Sequence, residues 1–288
     1  APKSCIKQPD PFSIYRESQK KFYVPRFYGI ESYGEPDEIR LSDGLKINLK
    51  FKGGLRDIQK PIVSKYLKHA KINGCGLIEI YCGAGKTVMA LNILSKIKKK
   101  TLIIVHKDFL LRQWKERIEQ FLPDAKVGKI QGDIIDVDGK DIVIGMLQSL
   151  SMKEYPVSVF QEFGFTIVDE CHHISAEVFS RSLFKIVTKY MLGLSATMDR
   201  KDGLTKVFKK FMGPVVVKKE RPLQDNVVVK AIEYTTDDEE FSKVSLNFRG
   251  HTNYTIMIKK LCEFNRRSEF ILKVVRDLLK KDTPELHI

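Results

Sequence analysis

A glycine-rich hexapeptide carries the residues of this sequence that are best suited to chemistry. Its members are Cys82, Gly83, Ala84, Gly85, Lys86 and Thr87. An apolar run at residues 76–81 precedes it, and an amphipathic run at residues 88–97 follows it. This order predicts a strand, a tight glycine turn and a helix start, which together form a phosphate-binding loop. We expect Lys86 to reach the β- and γ-phosphates of a nucleotide and the Thr87 hydroxyl to bind Mg²⁺. The usual spacing has a glycine where this chain has Ile80.

A pair of carboxylates supplies the partner that a phosphate-binding loop needs. Asp169 and Glu170 directly follow the apolar run at residues 165–168. Because ligands of parallel sheets bind outside the carboxyl ends of the strands, we expect both acids to lie near the loop. Asp169 would hold Mg²⁺ through water, and Glu170 would orient and deprotonate the attacking water. A zinc site of these acids with His172 and His173 is disfavoured, since adjacent histidines do not easily face one ion.

The elements that must position these residues alternate between strands and helices. Continuous apolar runs predict strands at residues 76–81, 101–105, 141–145, 165–168 and 190–194. Helical spacing between them predicts helices at residues 58–67, 88–97, 109–122 and 175–187. The alternation predicts an α/β fold with a doubly wound, mostly parallel sheet and helices on both faces.

The two ends of the chain depart from this alternation of strands and helices. Residues 1–45 indicate an N-terminal extension packed through its aromatic side chains, which are Phe22, Tyr23, Phe27 and Tyr28. Alternation at residues 47–51 predicts a half-buried strand. After residue 214 we expect β-structure at residues 215–217 and 226–234, then a long helix at residues 257–281 that is interrupted at Arg266 and Arg267.

Composition limits the partners and the compartment. The 288 residues carry a formal net charge of +14, which favours a polyanionic partner, nucleic acid first and an acidic membrane surface second. The five cysteines are scattered without C-x-x-C spacing, so a reducing intracellular compartment fits best. No apolar run reaches the length of a membrane span, and no signal peptide is visible. The first residue, Ala1, indicates a trimmed fragment or loss of an initiator methionine.

Taken in order, these motifs resemble superfamily 2 helicases of the DExH type. The matching positions are Gln59 (adenine-reading glutamine), Cys82–Thr87 (motif I), Asp169–His172 (motif II) and Ser195–Thr197 (motif III). The resemblance covers residues 55–211. Finer features are similar to the XPB-like branch, and most similar to helicases of large nucleocytoplasmic DNA viruses of the poxvirus transcript-release type. These features are Leu55-Arg56-x-x-Gln59, Arg112-Gln113-Trp114 and Ser195-Ala196-Thr197-x-x-Arg200-x-Asp202-Gly203.

The resemblance implies roles for further residues. Gln59 would hydrogen-bond the adenine edge, and Ser195 and Thr197 would couple ATP hydrolysis to strand movement, with His172 as a relay. The implied nucleic-acid contacts are His106, Lys107, Arg112, Gln148 and Ser149. Such contacts mostly bind phosphates, so sequence preference should be slight. The chain departs from the family pattern at His106-Lys107, where Pro-Thr is usual, and at Met198, where proline is common.

The resemblance also implies a domain plan and an activity. We expect an extension at residues 1–45, a RecA-like ATP-binding domain at 46–220, and a linker with the truncated start of a second RecA-like domain at 221–288. The rest of that second domain, with its arginine fingers, would be missing from this chain, leaving the fragment weakly active or inactive. The implied activity is ATP- and Mg²⁺-dependent movement along, or unwinding of, DNA or RNA, at a single strand or a duplex junction.

The expected setting is transcription or repair, in a cytoplasmic viral factory, the nucleus or a virion, and away from membranes. Two alternatives stay open. One is a structural nucleic-acid-binding module with vestigial nucleotide binding, against which the intact Lys86, Asp169 and Glu170 argue. The other is a different P-loop enzyme such as a kinase, which Gln59 and the Ser195–Thr197 strand end disfavour.

Overall fold

The computed structural model describes residues 12–170, 176–196, 205–221 and 231–279. These fall into two compact units, residues 1–222 and 223–288. The first unit opens with a small antiparallel hairpin, β1 (Arg16–Ser18) and β2 (Lys21–Tyr23), and helix α1 (Arg26–Tyr33). Phe27 and Tyr28 are half-buried as expected, but Phe22 and Tyr23 are exposed because they stand on the two-stranded hairpin, outside the large sheet.

An eight-stranded sheet forms the centre of the first unit. Its strands are β3 (Cys75–Ile80), β4 (Thr101–Val105), β5 (Val127–Gln131), β6 (Ile134–Ile135), β7 (Ile142–Met146), β8 (Phe165–Val168), β9 (Tyr190–Ser195) and β10 (Val215–Lys219). They are ordered β10-β3-β9-β8-β4-β7-β5-β6, and all neighbours are parallel except β5 and β6. The carboxyl ends of β3, β9, β8, β4 and β7 therefore share one edge of the sheet.

Helices cover both faces of this sheet, which confirms the predicted doubly wound α/β fold. They are α2 (Gln59–Asn73), α3 (Lys86–Ile97), α4 (Asp108–Phe121), α5 (Leu147–Met152), α6 (Ser158–Gln161), α7 (Ala176–Leu183) and α8 (Thr205–Met212). One core packs α2, α3 and α4 against the sheet, and a second core packs α5, α7 and α8 against the other face. The apolar runs of β3, β4, β7 and β8 are buried throughout because neither face meets water.

The strand predicted at residues 47–51 is wrong. An isolated bridge joins the preceding residue, Lys46, to Lys99, and the Ile47 N–H donates to the Lys98 carbonyl at 3.1 Å. Lys52 donates its N–H to the Phe121 carbonyl at 2.8 Å, and the Phe51 ring stacks on the Phe121 ring. The alternate apolar side chains of this extended segment thus pack on the core, although the segment pairs with no strand of the described sheet.

The described part of the second unit, residues 231–279, contains three helices, α9 (Glu239–Ser242), α10 (Tyr254–Glu263) and α11 (Asn265–Leu279). The predicted helix break is present, but it falls at Phe264. That ring lies 4.4 Å from the Phe241 ring, and Tyr234 joins the same aromatic cluster. Of the β-structure expected at residues 226–234, residues 226–230 lie outside the described residues, and residues 231–234 form no strand.

Candidate active site

The glycine-rich loop joins β3 to α3 and exposes its backbone at the carboxyl edge of the sheet. Gly83 and Gly85 both have φ of +83°, a left-handed conformation that glycine adopts without steric cost. Gly85 caps α3, and its carbonyl accepts the Met89 N–H at 3.1 Å. Lys86 and Thr87 are the first two helical residues, where unpaired N–H groups and the helix dipole favour an anion.

Gln59 and Arg56 hold this loop from the side of α2. The Gln59 side chain is 2% exposed, and its Nε2 donates to the Ala84 carbonyl at 2.8 Å. Its Oε1 accepts the Arg56 N–H at 2.9 Å, and the Arg56 guanidinium donates to the Gly83 carbonyl at 3.1 Å. Both ends of the Gln59 amide are therefore engaged within the protein. The adenine contact implied for Gln59 stays a prediction.

Lys86 and Glu170 meet across the mouth of the loop. The Lys86 Nζ lies 3.3 Å from the Glu170 Oε1, and their side chains are only 10% and 21% exposed. Glu170 has φ of +49°, a left-handed conformation that costs an L-residue about 1–2 kcal/mol. Strain of this kind persists where the surroundings fix a residue, and it clusters at functional sites. The backbone of Glu170 is thus held in an uncommon conformation beside the lysine.

Asp169 is buried, and its carboxylate lies between the Glu170 backbone and Trp114 of α4. Its Oδ1 accepts the Glu170 N–H at 2.9 Å, and its Oδ2 accepts the Trp114 indole N–H at 2.7 Å. Burial raises the pKa of the Asp169 carboxyl to about 6; the Glu170 charge also raises it, while the Trp114 hydrogen bond and Lys86 lower it. In the sequence, Trp114 contributed only to the family resemblance. A buried indole N–H generally needs an acceptor, and this need was the one signal for such a bond.

The remaining predicted ATP-site residues are placed in part. Ser195 is fully buried at the end of β9, the strand between β3 and β8, so it stands between the loop and the acid pair along the sheet edge. Cys82 is an exposed free thiol at the start of the loop. His172 and Thr197 lie outside the described residues.

The predicted nucleic-acid residues lie further along the same edge. His106 and Lys107 follow β4, and Gln148 and Ser149 open α5 after the neighbouring strand β7. Lys107 and Gln148 are exposed, while the Ser149 hydroxyl accepts the Gly132 N–H at 2.9 Å. That bond ties α5 to the turn between β5 and β6, a contact that the sequence did not reveal.

Arg112 is exposed on α4, one turn after Asp108. Its guanidinium lies 3.5 Å from the Asp108 carboxylate, which also accepts a hydrogen bond from the Gln131 amide at 3.3 Å. Because the pair is exposed, its net stabilisation is small, and a phosphate can compete for the guanidinium at little cost.

Oxygen donors suited to magnesium are present at the loop. Magnesium binds through one or two protein oxygens, with phosphates and water completing its shell. The Thr87 hydroxyl and the Asp169 carboxylate are oxygen donors of the kind that magnesium takes, and a magnesium ion held by both stays a prediction. In the part of the chain that the structure describes, no three His, Cys, Asp or Glu side chains cluster as a metal site. None of the described helices is both long and apolar enough to cross a bilayer.

Comparison with known proteins identifies the family to which the chain belongs. Residues 52–200 match the family model described as "Type III restriction enzyme, res subunit". The putative ATP-dependent RNA helicase L396 of Acanthamoeba polyphaga mimivirus is 36% identical over 93% of this chain and 52% of its own length. The DNA 3'-5' translocase XPB2 of Sulfurisphaera tokodaii is 34% identical over 74% of this chain and 47% of its own length. The chain thus spans about half the length of these relatives.

A solved structure agrees on the fold alone. The SWI2/SNF2 ATPase core domain of Sulfolobus solfataricus superposes with a TM-score of 0.50 at 15% identity, over 61% of this chain and 40% of that one. The family match and the two relatives confirm the resemblance to viral and XPB-like superfamily 2 helicases. The match to this family model covers residues 52–200, more than half of the chain. The chain therefore belongs to the superfamily 2 family of ATP-dependent helicases and translocases.

Proposed function

We propose that the first unit binds ATP with Mg²⁺ at Cys82–Thr87 and contributes Glu170 to its hydrolysis. One observation carries this proposal: the Lys86 Nζ lies 3.3 Å from the Glu170 Oε1 at the N-terminus of α3. The cation proposed to bind phosphate and the carboxylate proposed to activate water therefore lie side by side. That point is where the γ-phosphate of a nucleotide on this loop would lie.

The roles of the side chains follow from this geometry. Lys86 exchanges its contact with Glu170 for phosphate oxygens, because the triphosphate carries the larger negative charge. Glu170 is then released to accept a proton from the attacking water. Thr87 and Asp169 would hold the magnesium ion, which supplies charge neutralisation at the β- and γ-oxygens. The family resemblance further implies that Gln59 would hydrogen-bond the adenine edge. It also implies that Ser195, Thr197 and His172 would couple ATP hydrolysis to movement along a strand.

A nucleic-acid track would run along the loops after β4 and β7. His106, Lys107, Arg112, Gln148 and Ser149 form this proposed surface. Binding to phosphates by cationic and hydroxyl groups, together with the net charge of +14, supports DNA or RNA as the substrate without strong sequence preference.

The whole protein would work with a second RecA-like domain. That domain would close on the ATP site, and the setting we propose is viral transcription or repair. The scattered cysteines fit a reducing compartment, which would be a cytoplasmic viral factory or the nucleus. A virion is the third location that we propose.

Nucleotide binding by Lys86→Ala tests the proposal. The affinity for a fluorescent ATP analogue with Mg²⁺ should fall at least about 30-fold, because the change removes a cation from a partly buried charged contact. Lys96→Ala is the matched control: Lys96 is exposed in the last turn of the same helix, and its loss should leave affinity unchanged. Equal affinity of Lys86→Ala and wild type would refute the site. No nucleotide binding by wild type, with polynucleotide binding intact, would favour the structural module.

A further inference from the structure

Trp114 connects α4 to the acid pair in a way that packing alone does not explain. The side chain is 1% exposed within the core that α2, α3 and α4 share. Its indole N–H nevertheless reaches out of that core to the Asp169 Oδ2 at 2.7 Å. An ionised acceptor makes this bond charge-assisted, which shortens and strengthens it.

The contact has a consequence for the orientation of the carboxylate. An ionised carboxylate offers about four lone-pair positions on its two oxygens. In Asp169, one position on Oδ1 accepts the Glu170 N–H and one on Oδ2 accepts Trp114. The two bonds come from opposite ends of the group and stop it from rotating about its χ2 angle. One lone pair then remains on each oxygen for further donors, such as the water molecules of a magnesium ion.

We propose that Trp114 is a positioning residue for magnesium at the ATP site, acting through the Asp169 carboxylate that its indole N–H holds in one orientation. The inference rests on the proposed function and deepens it. Residues that orient a metal ligand from behind commonly contribute roughly 10- to 100-fold to metal affinity. A phenylalanine could fill much of the same space, so the N–H is the feature that distinguishes positioning from packing.

A chemical replacement separates the N–H from the ring. Trp114 is the only tryptophan of the chain, so growth of a tryptophan auxotroph on an analogue replaces this one side chain. β-(3-Benzothienyl)alanine keeps the bicyclic shape and lacks the N–H, whereas 5-fluorotryptophan keeps both. The two proteins form a matched pair that differs at one hydrogen bond.

The assay is the Mg²⁺ dependence of binding of a fluorescent ATP analogue. With the benzothienyl protein, the Mg²⁺ concentration at half-maximal binding should rise about tenfold relative to the fluorotryptophan protein. In EDTA the two affinities should be equal. The same Mg²⁺ dependence in both proteins would overturn the inference and leave the ATP site standing. No nucleotide binding by either protein would overturn the site and the inference together.

A second readout follows the hydrogen bond without nucleotide. After ¹⁵N labelling of tryptophan, the chain should give one indole N–H resonance that exchanges slowly with solvent. Asp169→Ala should shift it and speed its exchange, while Lys96→Ala, a change at an exposed residue in the last turn of α3, should leave it in place. A resonance that Asp169→Ala does not move would show that the N–H is not held by this carboxylate, and would overturn the inference.

Discussion

Gly83 and Gly85 offer a matched pair for measuring how tightly α2 holds the phosphate loop. Both have φ of +83°, so an added methyl group strains the backbone at either position. Their surroundings differ. A Cβ at Gly83 has no atom within 4 Å, whereas a Cβ at Gly85 would lie 2.4 Å from the Gln59 Nε2 and 2.9 Å from the Arg56 guanidinium. Gly85→Ala must therefore displace the Gln59 amide, and Gly83→Ala need not.

The expected free energies of unfolding follow from these contacts. A left-handed alanine costs about 1–2 kcal/mol, which is the whole expected effect of Gly83→Ala. Displacing Gln59 breaks its hydrogen bonds to the Ala84 carbonyl and from the Arg56 N–H, at about 1 kcal/mol each. Gly85→Ala should therefore destabilise the first unit by about 2 kcal/mol more than Gly83→Ala.

Urea unfolding followed by Trp114 fluorescence measures this difference, because the only tryptophan lies in the first unit. The double variant Gln59→Ala/Gly85→Ala removes the clash with the Gln59 amide and leaves only that with the exposed Arg56 guanidinium, which can move into solvent. The added cost of Gly85→Ala should therefore shrink towards the backbone penalty. Equal destabilisation by Gly83→Ala and Gly85→Ala would refute the reasoning, since it would show that Gln59 does not buttress the loop.

Three further outcomes are expected. N-Ethylmaleimide should modify the exposed Cys82 thiol more slowly when ATP and Mg²⁺ are present, and it should modify Cys262 at an unchanged rate. Cys75 should stay unmodified, because burial raises the pKa of its thiol to about 11. Peptide mass spectrometry measures these rates, and a lack of protection at Cys82 would count against a nucleotide on this loop. In the full-length enzyme, Glu170→Gln should retain ATP binding and lose turnover, as equilibrium binding and phosphate release together measure, and undiminished turnover would assign the base to another residue. Oligonucleotide affinity should fall with salt at a log–log slope of about −0.7 for each phosphate contacted, and a flat response would exclude a phosphate-tracking surface.

Strands whose two faces are both buried could be predicted from the sequence, whereas half-buried strands were predicted only in part: β10 was expected at residues 215–217. The runs at β3, β4, β7, β8 and β9 are continuous and apolar because helices lie above and below them. Strand β5 was missed: Lys129 interrupts its apolar residues, and only Gly128 and Ile130 are buried. A strand was wrongly predicted at residues 47–51, because an extended segment that packs on the core shows the same apolar alternation as a strand.

The candidate site divides along a similar line. The loop and the acid pair were visible because glycines before a lysine, and acids after an apolar run, are local patterns. The bond from Trp114 to Asp169 spans 55 residues of sequence, and that from Gln59 to Ala84 spans 25. No local period records such contacts; they follow only from the order of strands that brings α2 and α4 beside the sheet edge.

Both supporting contacts come from the same side of the sheet. Gln59 begins α2 and holds the loop at Ala84, while Trp114 lies in α4 and holds the acid at Asp169. Helices α2 and α4 pack into one core with α3, whose N-terminus carries Lys86. A shift of this core relative to the strands would move the loop and the carboxylate together. The opposite face, with α5, α7 and α8, makes neither contact among the residues that the structure describes. The geometry of the proposed ATP site is therefore supported by one helical layer, and buried substitutions there should disturb nucleotide binding more than equal substitutions across the sheet.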